Sequence, residues 1–299
     1  MGHLGRGSLT ATQMNAHFWI IETFNGLSYG ALLFLVGSGL SLIFGVMRIV
    51  NLAHGSYFLL GGYFAISVIA GTGSWALSIP VAALAVAVIG LLMERVFLRP
   101  LGFDPLRQVL LTVGFAFLFQ QAALDIWGGD NMDIKPPAVL THSIVVSGLH
   151  LPVYRIFMIV LALAIGIALW LFMERTRMGA AVRATVDDAQ MARGVGINTN
   201  TISMFIFALG AFLAAVGGVI GGAFLGVYPG LDFEVLPIAF AVVIIGGMGS
   251  LGGAAIGALL VGLADDFGRA LTPELSYFSL YAPMVLILAV KPTGLFGRD

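Results

Sequence analysis

Long apolar runs separated by short polar breaks organise the chain. Residues 23–47 carry no charge and are long enough to cross a bilayer with tilt. Further apolar runs at 57–70, 75–93, 109–124, 156–173, 202–227 and 277–290 are continuous rather than alternating, so they predict helices, not the ten-residue strands of a barrel. Between the last two runs, residues 235–264 hold no charge and are broken by GGMGSLGG at 246–253. Each arm around that break has about eleven residues, or roughly 17 Å, against a hydrocarbon core of about 30 Å. A re-entrant hairpin is the expectation, and one long tilted helix is the alternative. Non-helical backbone at membrane depth needs protein or a water-filled cavity around it, which ties Gly246, Gly247 and Gly249 to a transport path.

The polar breaks differ in kind. RIVNLAHGS places Arg48, Asn51, His54 and Ser56 between two apolar runs. Asn51, His54 and Ser56 either line the inner part of a path or belong to a satisfied interfacial turn. Residues 125–155 include Pro136 and Pro137 and read as an aqueous loop, whose Asp130, Asp133 and Lys135 suit the docking of a partner. Residues 178–198, MGAAVRATVDDAQMARGVGIN, form a charged island with Arg183, Asp187, Asp188 and Arg193. Thr185 followed by Asp188 reads as a capping box, and Arg193 with Gly194 and Gly196 closes the segment. The result is a helix of about two turns, too short to stand alone in water. Its small face, Ala189 and Ala192, would let another surface approach, with Met191 as a soft apolar knob. Asp187 and Asp188 either pair with that surface or complement the helix dipole.

Composition narrows the class. The chain is 59% hydrophobic and 10% charged, far from soluble domains, so an all-α polytopic membrane protein of about eight membrane segments is expected. Residues 1–22 form a polar leader without the pattern of a cleaved signal, and residues 23–299 form a single transmembrane domain. The positive-inside rule puts Arg48, Arg95, Arg99, Arg107, Arg175, Arg177, Arg183, Arg193, Lys291 and Arg298 in the cytoplasm. Arg6, Lys135, Arg155 and Arg269 then lie outside. The absence of cysteine excludes thiolate chemistry, and a net charge of -1 argues against nucleic acid. Lys135 and Lys291 follow Ile134 and Val290, so there is no phosphate loop, and neither HExxH nor GxSxG occurs. The chain is therefore expected to have no catalytic residue, no metal and no cofactor of its own. One internal echo, LLMERVFLRP at 91–100 and LFMERTRMGA at 171–180, reads as a relic of duplication or as a common way for a helix to leave the membrane.

GLSLIFGVMRIVNLAHGSYFLLGGY at 39–63, the island at 178–198 and IIGGMGSLGGAAIGALLVG at 244–262 together resemble the permease subunits of branched-chain amino acid ABC importers, over residues 24–296. The resemblance implies a bacterial inner-membrane permease that pairs with a second, related permease, two cytoplasmic ATPase subunits carrying ATP and magnesium, and a periplasmic binding protein. It also implies that the island docks on the ATPase. Relatives of such permeases carry urea, short amides or aromatic acids as well as leucine, isoleucine and valine. The competing class is an ion- or proton-driven carrier, which needs intramembrane carboxylates; Glu22, Glu94, Glu174 and Asp265 instead fall at the ends of runs. A static membrane scaffold has no use for the glycine break.

Overall fold

The computed structural model describes residues 16–102, 104–146 and 148–297, so Arg6 and Arg298 lie outside the described residues. Eleven α-helices occur among them: α1 (Ala16–Met47), α2 (His54–Thr72), α3 (Trp75–Leu92), α4 (Pro105–Trp127), α5 (Val153–Arg175), α6 (Arg177–Asp187), α7 (Ala189–Gly194), α8 (Thr199–Leu225), α9 (Leu231–Gly246), α10 (Leu251–Leu271) and α11 (Ser276–Val290). Seven of these, α1 to α5, α8 and α10, are long and apolar enough to cross a membrane, while α9 and α11 are shorter. The leader is corrected at its end, since α1 already begins at Ala16. The loop between α4 and α5 carries a two-stranded antiparallel hairpin, β1 (Ser143–Val146) with β2 (Leu149–Pro152), which apolar patterning did not signal.

Polar residues start the helices where the chain turns. Ser74 caps α3 by accepting from Leu77 N, Asp104 caps α4 through Arg107 N, Asn198 caps α8 through Thr201 N and Ser250 caps α10 through Gly253 N. Each side-chain oxygen satisfies an orphan first-turn N–H, worth about 1 kcal/mol. The centre is built from α1 and α8, the two most buried spans. They cross where Gly39 and Gly210 meet, and a Cβ on Gly210 would stand 2.8 Å from the Gly39 carbonyl oxygen. Close backbone approach supplies the dispersion contact that apolar burial cannot supply in lipid. α4 and α5 lie at the periphery, with exposed apolar side chains such as Leu110, Phe117 and Val160.

Residues 235–264 are a hairpin of two helices, not one tilted helix. The arms are longer than expected, at 16 residues in α9 and 21 in α10, and the break is confined to 247–250. The glycine block misleads on this point: Ser250 caps a helix that already includes Leu251, Gly252 and Gly253. α10, at about 32 Å, is long enough to span a bilayer, whereas α9, at about 24 Å, is not. The arginine-rich ends of α1, α3 and α5, the break at 247–250 and the residues after α11 gather at one end of the bundle, the basic end.

Candidate functional site

The polar break after α1 turns back into the bundle. Arg48 takes a left-handed φ of 54°, residues 49–53 are non-helical, and α2 begins with His54, whose Nε2 lies 3.0 Å from Val36 O. Val36 is eleven residues before the end of α1, about 16 Å along the helix. Buried non-helical backbone needs partners there. Leu52 N donates to Thr112 Oγ1 at 3.2 Å, Ala53 N to Asn51 Oδ1 at 3.1 Å and His54 N to Asn51 O at 3.3 Å. Ser56 Oγ donates to Asp232 Oδ2 at 2.9 Å. Asn51, His54 and Ser56 are thus buried within their own chain and are not among the residues that line the main cavity. Their chemistry holds α2 in place.

Asp232, only 2% exposed, was missed by sequence reasoning because it stands just before an apolar run. Glu94 and Asp265 are also buried and pair with Arg99 at 3.4 Å and Arg269 at 2.9 Å. The absence of intramembrane carboxylates therefore no longer argues against an ion-driven carrier. Composition alone could not have settled that point.

The main cavity, about 1280 Å³, runs between α1, α5 and α10. Phe34, Ile167 and Trp170 make its walls apolar, and Arg48, Glu174, Arg183 and Asp187 stand at its basic end. Arg183 Nη1 faces Glu174 Oε2 at 3.8 Å with both side chains part-exposed, a contact of small energy. Of the three glycines expected on a path, Gly249 lines this cavity. Gly246 and Gly247 are instead sealed: Leu295 N donates to Ile245 O and Phe296 N to Gly246 O, so the C-terminal tail caps α9.

The island is two helices, not one. Thr185 lies inside α6 and its hydroxyl donates to Ala181 O, so the capping box is corrected. Asp188 alone breaks the helix and caps α7, its Oδ1 accepting from Gln190 N at 2.8 Å and Met191 N at 2.9 Å. Arg193 Nε donates to Thr199 Oγ1 at 2.7 Å, and Gly196, at φ 88°, turns the chain into α8. Ala189 is half-buried and Ala192 is 3% exposed, so the small face is turned toward the chain itself, a second correction. Met191 at 67% exposure and Val195 at 72% are one helical turn apart and point outward. Val195 was missed because it comes just after the apparent glycine stop. At the opposite end Asp130, Asp133 and Lys135 are exposed, while Ile134 between them is buried and Met132 bridges to Val227.

The chain is 31% identical to the high-affinity branched-chain amino acid transport system permease protein BraD of Pseudomonas aeruginosa, over 94% of this chain and 97% of that one. It is 32% identical to the permease protein LivH of Escherichia coli K12, over 94% and 96%. It is also 27% identical to LivM of the same organism, over 87% of this chain and 67% of that one. No solved structure matches. The profile described as branched-chain amino acid transport system, permease component, matches residues 22–288, and the chain with its buried bundle, cavity and exposed island belongs to that family of multi-pass membrane permeases.

Proposed function

We propose that this protein is one permease subunit of an ATP-driven importer of branched-chain amino acids. The observation that carries the reading is the full-length likeness to LivH and BraD, whose names state that role. The cavity agrees with it chemically. Apolar walls of Phe34, Ile167 and Trp170 suit an aliphatic side chain, and charges of both signs at the basic end suit the two poles of an amino acid. The likeness to LivM supports a related second permease beside this one. The basic end is the cytoplasmic one, and the island is where a cytoplasmic ATPase docks. In that role Met191 and Val195 make the contact while Asp188 and Arg193 hold α7 in shape. Asp130, Asp133 and Lys135 are the landing site of a solute-binding protein. This chain performs no bond chemistry: ATP binding elsewhere biases the inward and outward states through the island.

The test is reconstitution with the cognate ATPase, partner permease and binding protein, followed by uptake of labelled leucine, isoleucine, valine, urea and phenylacetate. Leucine, isoleucine or valine accumulating in an ATP-dependent way supports the reading, and uptake of urea or phenylacetate alone overturns its substrate. Met191→Asp with Val195→Asp is expected to release the ATPase on purification; retention in full stoichiometry would sink the docking assignment.

A further inference from the structure

Arg48 differs from the other charged residues at the basic end of the cavity, first in its backbone. Among the described residues it is the one residue other than glycine in the left-handed region, at φ 54°. Its N–H still donates to Phe44 O at 2.8 Å, so Arg48 sits one turn beyond Phe44 on the line of α1 before the chain swings away. Asparagine or glycine would hold this backbone with less strain than arginine does. Strain of that kind gathers at functional sites, and here it falls on a residue that lines the main cavity.

The second difference is in its partners. Arg183 faces Glu174 at 3.8 Å, and Asp187 is not free either. Arg48 is exposed and makes no ion pair and no side-chain hydrogen bond among the described residues. A guanidinium therefore stands ready at the rim.

The walls beside these charges are apolar, and they step in the same register. On α1, Phe44 precedes Arg48 by one turn; on α5, Trp170 precedes Glu174 by one turn. Each step is about 5 Å. An α-amino acid has that layout, since its carboxylate, its ammonium and its side chain all leave from one carbon.

Charge balance chooses among anions. The planar fork of a guanidinium fits a carboxylate through two parallel hydrogen bonds, and it fits phosphate as well. Glu174 and Asp187 stand at the same rim, however, and two carboxylates repel a dianion. A zwitterion meets both signs and carries no net charge. Urea and short amides offer the guanidinium only a carbonyl oxygen.

We propose that Arg48 is the carboxylate-binding residue of the cavity. It holds a branched α-amino acid at the cytoplasmic rim, with the side chain against Phe44 and Trp170 and the ammonium toward Glu174 and Asp187. The side chains of Glu174 and Arg183 at this rim are part-exposed, so amino acid already delivered rebinds there without help from the solute-binding protein. The inference rests on the transport function proposed for the chain and names the residue that reads the substrate in it.

The test is ligand binding to the permease assembly, purified with its ATPase and partner permease and without the solute-binding protein. Three probes share one branched side chain: leucine, 4-methylpentanoate, which lacks the ammonium, and isopentylamine, which lacks the carboxylate. Each is titrated against the unsubstituted protein, Arg48→Asn and Arg48→Lys. Asparagine tolerates a positive φ, so Arg48→Asn removes the guanidinium and keeps the turn. In that variant leucine and 4-methylpentanoate should bind about tenfold more weakly while isopentylamine is unchanged, with Arg48→Lys falling between. Equal loss for all three probes would show a merely structural role, and unchanged leucine affinity in Arg48→Asn would return Arg48 to the lipid surface. Either result overturns the assignment, as does the failure of every probe to bind the unsubstituted protein. A site that takes phenylacetate in an Arg48-dependent way and does not take leucine keeps the role of Arg48 and overturns the branched-chain substrate alone. Should Arg48→Asn fail to assemble, Arg48→Lys carries the test: it keeps the charge and loses the fork, so undiminished binding of leucine and 4-methylpentanoate overturns the assignment.

Discussion

The turn at 71–74 and the turn at 247–250 have the same pattern and almost the same backbone, yet different surroundings. Around the first, a Cβ on Gly71 or Gly73 would meet nothing within 4 Å. Around the second, Gly45 of α1 presses on Gly249, Gly253 presses on Gly246, and residues 294–297 cover Gly247. Local sequence makes the turn in both places. Segments remote from the turn decide whether it is free or held: α6 reaches the second through Val186, and the C-terminal tail folds back onto it. A turn held by α1, by the island and by the tail is fixed relative to α10 and the cavity; a free turn is not.

The comparison breaks hardest at its glycines. Gly249→Ala should cost about 2–4 kcal/mol, because a side chain at φ 82° is strained and its Cβ would lie 2.9 Å from Gly45 Cα. Gly73→Ala, with the strain but open space, should cost about 1 kcal/mol, so melting in detergent must drop far more for the first variant. Equal drops would show that the second turn is not clamped. Next in size, ending the chain at Lys291 removes the N–H groups of Leu295 and Phe296 from Ile245 O and Gly246 O, a loss of about 1–3 kcal/mol. Hydrogen exchange should rise through 245–253 and stay constant through 69–77. The smallest effect sharpens the likeness: Ser74→Ala and Ser250→Ala each remove one cap and should each cost about 1 kcal/mol, within error of one another.

Particular residues show what was legible. Long uncharged runs gave the spans to within a few residues at most ends, because in lipid the backbone must satisfy itself within the helix. Asp188, Arg193 and Gly196 could be read as punctuation, since caps and turns depend on neighbours a few positions away. Val195 was overlooked and Ala192 was taken for an outward face for the opposite reason: which side of so short a helix faces outward is set by α8 and α6, outside that helix. His54 was open to two readings, a path-lining group or part of a satisfied interfacial turn, and only the Val36 carbonyl, eighteen residues earlier, accounts for its burial.

The sequence by itself determined the class of protein, the number of long apolar helices to within the short ones, the break at the glycines and the family. All of these depend on local pattern or on resemblance along the line of the chain. The tertiary structure decided that the polar trio is buried within the chain, that Asp232 is buried against Ser56, that the cavity lies between α1, α5 and α10, and that α1 and α8 pack antiparallel. Those facts are contacts between residues up to two hundred or so positions apart in the chain. No window of sequence contains both partners.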